Sequence, residues 1–290
     1  MSYLDRIKAC NQHDPTAYSS FVIEGRQAGK IRHDFAAHLK SWPEVFELGA
    51  SHVCLAPALN HPCVGIDHRS DAVAAVFRTL RDDGVVTGWR DEVHKVSPSW
   101  TAPAQLLVER AAIPYLGSGG YAVHLNGFVR RPDGLWLWVA RRADDKPTAP
   151  GALDHLVAGG QPAALSLRDN LLKECHEEAG IPASLATRAY CTGCIAYAHD
   201  SANGYRPDTI YTFDLELPEY FEPVNTDGEV AAFELCRVED VAALVRDTTS
   251  FKPNCALVII DFLIRSGVID PETEDYLALV GGLRSQSSLV

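Results

Sequence analysis

The stretch that decides the fold covers residues 159–181 and reads GGQPAALSLRDNLLKECHEEAGI. Ser166, followed three residues later by Asp169, is typical of a capped helix start, and Gly180 is typical of a helix end. Between them, apolar side chains recur at helical spacing and predict one buried stripe. The stripe consists of Leu167, Leu171, Leu172 and Cys175. The stretch therefore predicts a glycine-rich loop that leads into an amphipathic helix.

The last two turns of this helix carry three carboxylates. Glu174, Glu177 and Glu178 stand at positions i, i+3 and i+4, so they share one face. Like charges at these spacings repel by about 0.2–0.5 kcal/mol per pair, and the helix dipole disfavours anions in the last turn. If the face were only exposed to solvent, nothing would relieve this repulsion. A bound cation would relieve it, and Mg²⁺ and Mn²⁺ prefer such hard oxygen ligands. The helix face therefore predicts a divalent-metal site.

Length and charge limit the classes to which the chain can belong. With 290 residues it is long enough for about two domains, and its formal net charge is −12. Nucleic-acid binding and anionic-membrane binding both require a basic face, so the acidity argues against both. The first residues form no apolar leader, and no apolar run is long enough to span a bilayer. We therefore expect a cytoplasmic protein without nucleic-acid or membrane partners.

A change in composition near residues 113–120 divides the chain, because the Pro and Gly residues there favour a linker or turn. We predict an N-terminal accessory domain over residues 1–116, with a hairpin near Gly25 and a helix capped by Ser70, and a second domain over residues 117–290. In the second domain we predict strands at 121–130, 135–141, 153–157, 188–197 and 209–217, and helices at 256–265 and 272–279. Strands on both sides of a central helix predict an α+β fold in which helices pack on a mixed sheet.

The stretch at residues 159–181 also resembles the Nudix box, whose pattern is Gx5Ex7REUxEExGU, with U a bulky aliphatic residue. The positions that match in type are Gly159, Glu174, Cys175, Glu177, Glu178, Gly180 and Ile181. Leu165 stands in place of the first glutamate and Lys173 in place of the arginine, two residues that orient the metal-binding glutamates in the usual box. The resemblance implies a Nudix-type α/β/α sandwich with a mixed sheet, preceded by a smaller α+β accessory domain.

The resemblance also implies a reaction, the hydrolysis of a diphosphate joined to another moiety with Mg²⁺ or Mn²⁺ as the cofactor. Glu174 and Glu178 would be metal ligands, and Glu177 a third or water-mediated ligand. The Gly159 carbonyl is a weaker candidate ligand. A later loop supplies a base or extra ligand in this family, and Glu229 is our candidate for it, completing a catalytic set with the three box glutamates. An exposed turn carboxylate is the alternative interpretation of Glu229.

Cations that could grip phosphates cluster near the box. They are Arg141, Arg142 and Lys146, with Arg206 as a weaker candidate from a later loop. Guanidinium groups bind phosphates through two parallel hydrogen bonds, which favours this role. A charge cluster that protects a sheet edge is the alternative. His124 and His155 lie in predicted strands, so we expect them to be hydrogen-bonded sheet residues rather than catalytic groups.

Flanking segments resemble a subgroup of Nudix hydrolases linked to thiamine diphosphate metabolism. The accessory-domain and junction segments that carry this resemblance are Gly-Trp-Arg-Asp-Glu at 88–92, Val-Glu-Arg-Ala-Ala at 108–112 and His-Leu-Asn-Gly-Phe at 124–128. The subgroup implies thiamine diphosphate or its oxidised analogues as the substrate, cleaved to the monophosphate and phosphate. The carboxylate helix by itself supports only the class of reaction.

Two other functions stay open at this point. The same chemistry could act on ADP-ribose, a dinucleotide or a coenzyme A derivative. Alternatively, the altered box could belong to a module that binds a diphosphate ligand without cleaving it. The intact Glu174, Glu177 and Glu178 argue against this module, because a binding protein has less need of three crowded carboxylates. In each case the expected partner is a small-molecule diphosphate, and the residues leave open whether a homodimer forms.

Overall fold

The computed structural model describes residues 1–146 and 148–284, and it contains two main sheets. The elements of the N-terminal half are α1 (Tyr3–Ala9), β1 (Tyr18–Ile23), β2 (Arg26–Arg32), α2 (His33–Leu39), β3 (Phe46–Leu48), β4 (His52–Leu55), α3 (Ile66–Asp82), β5 (Val93–Val96), β6 (Leu106–Glu109) and α4 (Ala112–Leu116). The elements of the C-terminal half are β7 (Gly120–Arg131), β8 (Gly134–Arg142), β9 (Leu153–Asp154), β10 (Val157–Gly160), α5 (Leu167–Ala179), α6 (Ala183–Ala186), β11 (Tyr190–Ser201), β12 (Gly204–Glu216), β13 (Val230–Arg237), α7 (Val238–Asp247), α8 (Pro253–Arg265) and α9 (Tyr276–Gly282). We call β1 to α4 the small-sheet unit, and α1 with β7 to α9 the large-sheet unit.

The small-sheet unit is built on four strands in the order β2-β1-β4-β3, beside the separate β5–β6 hairpin. Helix α3 buries Val73, Phe77 and Leu80 in the core of this unit. The sequence-based start of this helix at Ser70 is wrong, because α3 begins at Ile66 after Gly65. Ser70 is buried inside the helix, and its hydroxyl oxygen accepts a hydrogen bond from the Leu107 N–H at 2.9 Å. It therefore ties α3 to β6 instead of capping the helix.

The large-sheet unit has the layered form that the sequence predicts. Its strands follow the order β11-β12-β7-β8-β13, with β12 parallel to β7 and its other pairings antiparallel. Helix α5 packs on one apolar core with side chains of β7 and β10. Helices α7 and α8 pack on a second core with side chains of β7, β8 and β11. A mixed sheet between helices confirms the predicted α+β, Nudix-type sandwich.

The strand predicted at 153–157 is divided into two. Strand β9 pairs with β8, whereas β10 pairs with β7, so the chain changes its partner strand between Asp154 and Val157. Asp154 and His155 lie at this change and are both buried. The division therefore places polar side chains inside the sheet next to the start of the glycine-rich loop.

Helix α1, at the start of the predicted N-terminal domain (residues 1–116), packs on the large-sheet unit. Ile7 and Cys10 are buried in the core formed by α7, α8 and α9. The Tyr3 hydroxyl donates a hydrogen bond to the Ala242 carbonyl at 3.1 Å. Among the described helices, none combines the length and the apolar character needed to cross a membrane.

Candidate active site

Helix α5 is positioned by its ends and by its apolar stripe. The Ser166 hydroxyl oxygen accepts a hydrogen bond from the Asp169 N–H at 3.0 Å, which caps the first turn. Gly180, with φ of 61°, adopts the left-handed conformation that ends the helix. Leu171 and Cys175 are fully buried against the sheet. The predicted helix is thus confirmed, and its glutamates lie beside β10.

Glu178 is a carboxylate held inside the protein. It is only 8% exposed, and its Oε2 accepts a hydrogen bond from the Ala158 N–H at 2.7 Å. Burial raises the pKa of Glu178 to about 8, and the nearby Glu174 and Asp154 add to this while the Ala158 hydrogen bond opposes it. The side chain therefore lies where a bound cation would strongly favour its charged form.

Glu174 lies against the glycine-rich loop. A Cβ placed on Gly159 would overlap the carboxylate carbon of Glu174, so only glycine leaves room for this side chain. Burial raises the pKa of Glu174, although the charge of Lys173 opposes the shift. The glycine at this box position is thus explained by the close approach of a carboxylate to the strand.

Lys173 joins two of the three box glutamates. Its Nζ lies 2.5 Å from Glu177 Oε2 and 3.3 Å from Glu174 Oε1. Glu177 is more exposed than Glu174, with 41% of its side chain accessible compared with 14%. The lysine that replaces the usual arginine of the box therefore contacts both glutamates directly. The contact with Glu177 is the one that the i, i+4 spacing predicts, and the contact with Glu174 was not expected from the sequence.

Glu229 lies across a small cavity from Glu178. The cavity has a volume of about 10 Å³ and is lined by both glutamates together with Ala158 and Asp154. Lys146 forms an ion pair with Glu229 at 2.5 Å. Burial alone would raise the pKa of Glu229, but Lys146, Arg142 and Arg90 together lower it. The structure thus brings this later-loop carboxylate to the box glutamates.

The carbonyl that points toward these carboxylates belongs to Ala158 and not to Gly159. The Ala158 N–H bonds to Glu178, and the Gly160 carbonyl accepts a hydrogen bond from Asn170 of α5 at 2.8 Å. Successive peptide groups of a strand point to opposite sides, so the polar groups of Gly159 face β7, where it pairs with Val123. The expectation that the Gly159 carbonyl is a ligand is therefore corrected, because strand alternation turns it away from α5.

The cations predicted to bind phosphate differ in their availability. Arg142 pairs with Asp154 at 2.8 Å and donates to the Thr148 and Ala149 carbonyls, so its guanidinium is already occupied within the wall of the cavity. The expectation that Arg142 grips phosphate is thus not supported by its contacts. Arg141 forms an exposed pair with Asp144 at 3.2 Å. The weaker candidate, Arg206 on β12, pairs with Asp208 at 2.9 Å.

A buried polar cluster next to the cavity was missed by sequence reasoning. Asp154 Oδ2 lies 2.8 Å from Arg142 and 3.7 Å from Lys252, and Asp154 Oδ1 lies 2.6 Å from the Cys255 thiol. Burial alone would raise the pKa of Asp154, but the charge of Lys252 holds it below its usual range. A charged residue within the apolar segment at 153–157 was the available signal, although two of its three partners, Lys252 and Cys255, are about 100 residues away along the chain.

The histidines lie beside this cluster. His124 Nδ1 and His155 Nδ1 are 3.1 Å apart, and burial lowers the pKa of His155 to about 4, so it is neutral at physiological pH. Atoms of these histidines and Cys255 lie within 4.8 Å of one another, a spacing that could suit a metal ion. Arg142 and Lys252 already neutralise the adjacent Asp154, so a further divalent cation would be repelled there. His124 lies in β7, as the sequence predicts, whereas His155 lies between β9 and β10, and its buried Nε2 has no hydrogen-bond partner among the described residues. The prediction of a hydrogen-bonded strand residue is therefore wrong for His155.

The glutamates, in contrast, fit a hard divalent cation. Glu174 and Glu178 are buried with raised pKa values, and each is raised further by the charge of Glu229. A cation among them would offset this repulsion, and every donor offered is an oxygen. These donors match the preference of Mg²⁺ and Mn²⁺.

Comparisons with known proteins agree with this geometry. A family model described as the NUDIX domain matches residues 120–255, and a model described as a domain of unknown function, DUF4743, matches residues 2–119. Nudix hydrolase 24, chloroplastic, of Arabidopsis thaliana is 42% identical over 287 residues, covering 98% of this chain and 78% of that protein. Nudix hydrolase 20, chloroplastic, of the same plant is 40% identical over 291 residues, with the same coverage.

Solved structures align with part of the chain. An Ap4A hydrolase of C. elegans in a binary complex aligns with 52% of this chain and 99% of that chain, at a TM-score of 0.38 and 12% identity. The family assignment does not depend on this alignment, because the plant relatives already match nearly the whole chain. The chain therefore belongs to the Nudix hydrolase family, as a Nudix-type pyrophosphohydrolase that also contains a DUF4743 unit.

Proposed function

We propose that the protein hydrolyses the diphosphate bond of thiamine diphosphate or its oxidised analogues and releases the monophosphate and phosphate. The observation that carries the class of reaction is the closeness of three carboxylates: Glu178 and Glu229 line one small cavity beside β10, and Glu174 lies against Gly159 of the same strand. The resemblance of the flanking segments to thiamine diphosphate-linked Nudix hydrolases supports the choice of substrate. The acidic net charge is compatible with an anionic substrate if a divalent cation accompanies it.

The box glutamates are the residues that would hold Mg²⁺ or Mn²⁺, together with the Ala158 carbonyl. When bound, such a cation lowers the pKa of water and neutralises charge on phosphate oxygens. The Ala158 N–H fixes one oxygen of Glu178, so this side chain has a defined orientation before any ligand arrives. Lys173 similarly fixes Glu177 and Glu174 with respect to each other.

Glu229 has the properties of a proton acceptor. Its pKa is lowered by Lys146, so it is ionised at neutral pH, and it faces Glu178 across the cavity. An ionised carboxylate within reach of the attacking water can accept its proton. The N–H of Glu229 donates to Asp227 Oδ1 at 2.8 Å, which helps to hold the loop that carries it.

Product analysis tests the proposal directly. The purified protein is incubated with Mg²⁺ and, separately, thiamine diphosphate, its oxo form, ADP-ribose and coenzyme A, and the products are separated by chromatography. We expect monophosphate and phosphate from the first two compounds and no product from the Glu178→Gln variant. Cleavage of ADP-ribose or coenzyme A alone would replace the thiamine proposal with the other enzymatic function. No cleavage of any compound would favour a diphosphate-binding module.

A further inference from the structure

Two short segments of the small-sheet unit lie against the glycine-rich loop of the large-sheet unit. The Ala163 N–H, in the loop before α5, donates a hydrogen bond to the Val93 carbonyl of β5 at 2.8 Å. A Cβ placed on Gly160 would lie 3.2 Å from Cζ of Arg110, so this guanidinium packs directly over the glycine. The neighbouring Gly159 is covered in the same way by Glu174. Because consecutive residues of a strand face opposite sides, Arg110 of one unit and Glu174 of the other cover β10 from its two faces.

The backbone that carries this arginine is held by one carboxylate. The side chain of Glu109 accepts hydrogen bonds from the N–H groups of Arg90 (2.9 Å), Glu92 (3.1 Å) and Ala111 (3.2 Å). The Arg110 N–H donates to the Glu92 carbonyl at 2.8 Å. These bonds join the segments at 88–92 and 108–112, which the sequence analysis singled out and the proposed reaction does not use.

A second arginine on this frame is Arg90. The residue between Arg90 and Glu92, Asp91, has a φ of 58°, a left-handed conformation that is uncommon for residues other than glycine. The Asp91 carboxylate accepts a hydrogen bond from the Trp89 indole at 2.8 Å. The loop is therefore fixed on both sides of Arg90, whose own N–H bonds to the same Glu109 oxygen that accepts from Ala111, the residue after Arg110.

These two arginines differ from the other cations of the site in their partners. Lys146, Lys173, Arg141 and Arg142 each lie within 3.3 Å of a carboxylate oxygen. The carboxylate nearest to Arg110 is that of Glu92, at 3.6 Å, and Glu92 also bonds to His94. Arg90 is exposed and forms no ion pair among residues 1–146 and 148–284. Almost half of the Arg110 side chain is exposed as well.

We propose that Arg90 and Arg110 form a phosphate subsite that the small-sheet unit contributes to the active site. Arginine binds phosphate oxygens through pairs of charge-assisted hydrogen bonds, and here it can do so without losing a close ion pair. The subsite would hold the diphosphate group of the substrate at the Gly160 end of β10, separated from the carboxylates that hold the cation by the edge of this strand with which no other described strand pairs. This inference rests on the proposed function for its location and on the contacts of the two arginines for its chemistry.

Binding of a diphosphate that cannot be hydrolysed tests the subsite independently of turnover. The probe is methylenediphosphonate with Mg²⁺, titrated by calorimetry into the full-length protein. Arg110→Ala and Arg90→Ala should each weaken binding about tenfold or more, since each removes charge-assisted hydrogen bonds. Arg110→Lys should weaken binding by a smaller factor, because lysine keeps the positive charge. The matched control is Arg78→Ala, which removes an exposed arginine from α3 of the same unit and should leave the affinity unchanged.

The outcomes separate the subsite from the proposed reaction. Equal affinities for Arg110→Ala, Arg90→Ala and Arg78→Ala, in proteins with unchanged melting temperatures, would overturn the subsite. If the wild-type protein binds the probe through these arginines but cleaves none of the candidate substrates, the subsite stands and the proposed reaction fails. With a confirmed substrate, the two variants should raise KM more than they lower kcat.

Discussion

The carboxylate of Glu178 accepts a hydrogen bond from the Ala158 N–H at 2.7 Å while lying almost entirely out of contact with solvent. This bond joins the last turn of α5 to the edge of β10. It also fixes the position of this carboxyl group beside Glu174 and Glu229, the two carboxylates that share the site. The helix and the strand are thus connected through the same group that is predicted to bind the cation.

Glu178→Gln should abolish turnover and leave the fold intact. The amide oxygen can still accept the Ala158 hydrogen bond, but it cannot supply the negative charge. We expect kcat/KM to fall at least about 100-fold, beyond the ~10–100-fold typical of groups that only orient a metal ligand. Steady-state kinetics and a thermal melt measure the two effects. Glu177→Gln, at a more exposed position, should lower kcat/KM by a smaller factor. A fully active Glu178→Gln protein would contradict the assignment of Glu178 as a metal ligand.

The stability of the metal-free protein should decrease with rising pH. The pKa of Glu178 is raised from 4.5 to about 8 in the folded state, so folding favours its protonated form. Its contribution is fully present below pH 4.5 and is lost as the pH rises through about 8. Melting temperatures in chelator between pH 6 and 9 should therefore fall more for the wild type than for Glu178→Gln.

Mg²⁺ should reverse this loss, because it binds the deprotonated carboxylate. We expect the rise in melting temperature on adding Mg²⁺ to be larger at pH 9 than at pH 6. A rise that does not depend on pH, or one that is equal in Glu178→Gln, would show that Glu178 does not titrate with metal binding.

Gly159→Ala should impair the site without unfolding the protein. The new methyl group would overlap the Glu174 carboxylate and force it to move. We expect kcat/KM to fall about 10–100-fold and the Mg²⁺ concentration for half-maximal rate to rise. Gly65→Ala is the control, since its Cβ meets no atom within 4 Å and its φ of −61° suits any residue. Equal kinetics for the two variants would argue against Glu174 as a ligand.

The altered box positions can be tested together. Leu165→Glu with Lys173→Arg restores the usual pair, and the double variant should keep or exceed the wild-type activity, because arginine can also reach Glu177 and Glu174. Lys173→Ala should reduce activity, since it leaves these two carboxylates unlinked. Steady-state kinetics compares the three proteins. A large loss in the double variant would show that the lysine has a function that arginine cannot supply.

Neighbouring arginines should differ sharply in their effect on stability. Arg142 forms a buried pair with Asp154, and removing one partner of such a pair typically lowers the free energy of unfolding by about 3–5 kcal/mol. Lys252 remains near Asp154 and should keep Arg142→Ala at the lower end of this range. Arg141→Ala removes an exposed ion pair and should change the free energy of unfolding by less than about 1 kcal/mol. Denaturant titration measures the free energy of unfolding of both variants, and equal losses would contradict the structural role of Arg142.

Local patterns explain what the sequence could predict. The spacing of Glu174, Glu177 and Glu178 requires only helical periodicity, and Ser166 and Gly180 mark the helix ends by their own backbone chemistry. The mixed sheet follows from strands on both sides of that helix. These features depend on residues a few positions apart, so a single sequence contains the information.

Features that depend on strand register or distant partners could not be predicted. Which carbonyl faces α5 is decided by the pairing of β10 with β7, and a shift of one residue exchanges Ala158 for Gly159. Arg142 resembles a phosphate-binding residue until its partner Asp154 is placed beside it. The role of Glu109 also could not be predicted, because its three backbone partners come from two segments of the chain.

The packing of α1 changes how the two units can be separated. Ile7, in α1, and Cys10, directly after α1, are part of the core that α7, α8 and α9 form. A truncated protein that begins at residue 117 would therefore expose an apolar groove that α1 normally fills. A shortened version of the C-terminal half should instead retain α1, joined to β7 by a linker.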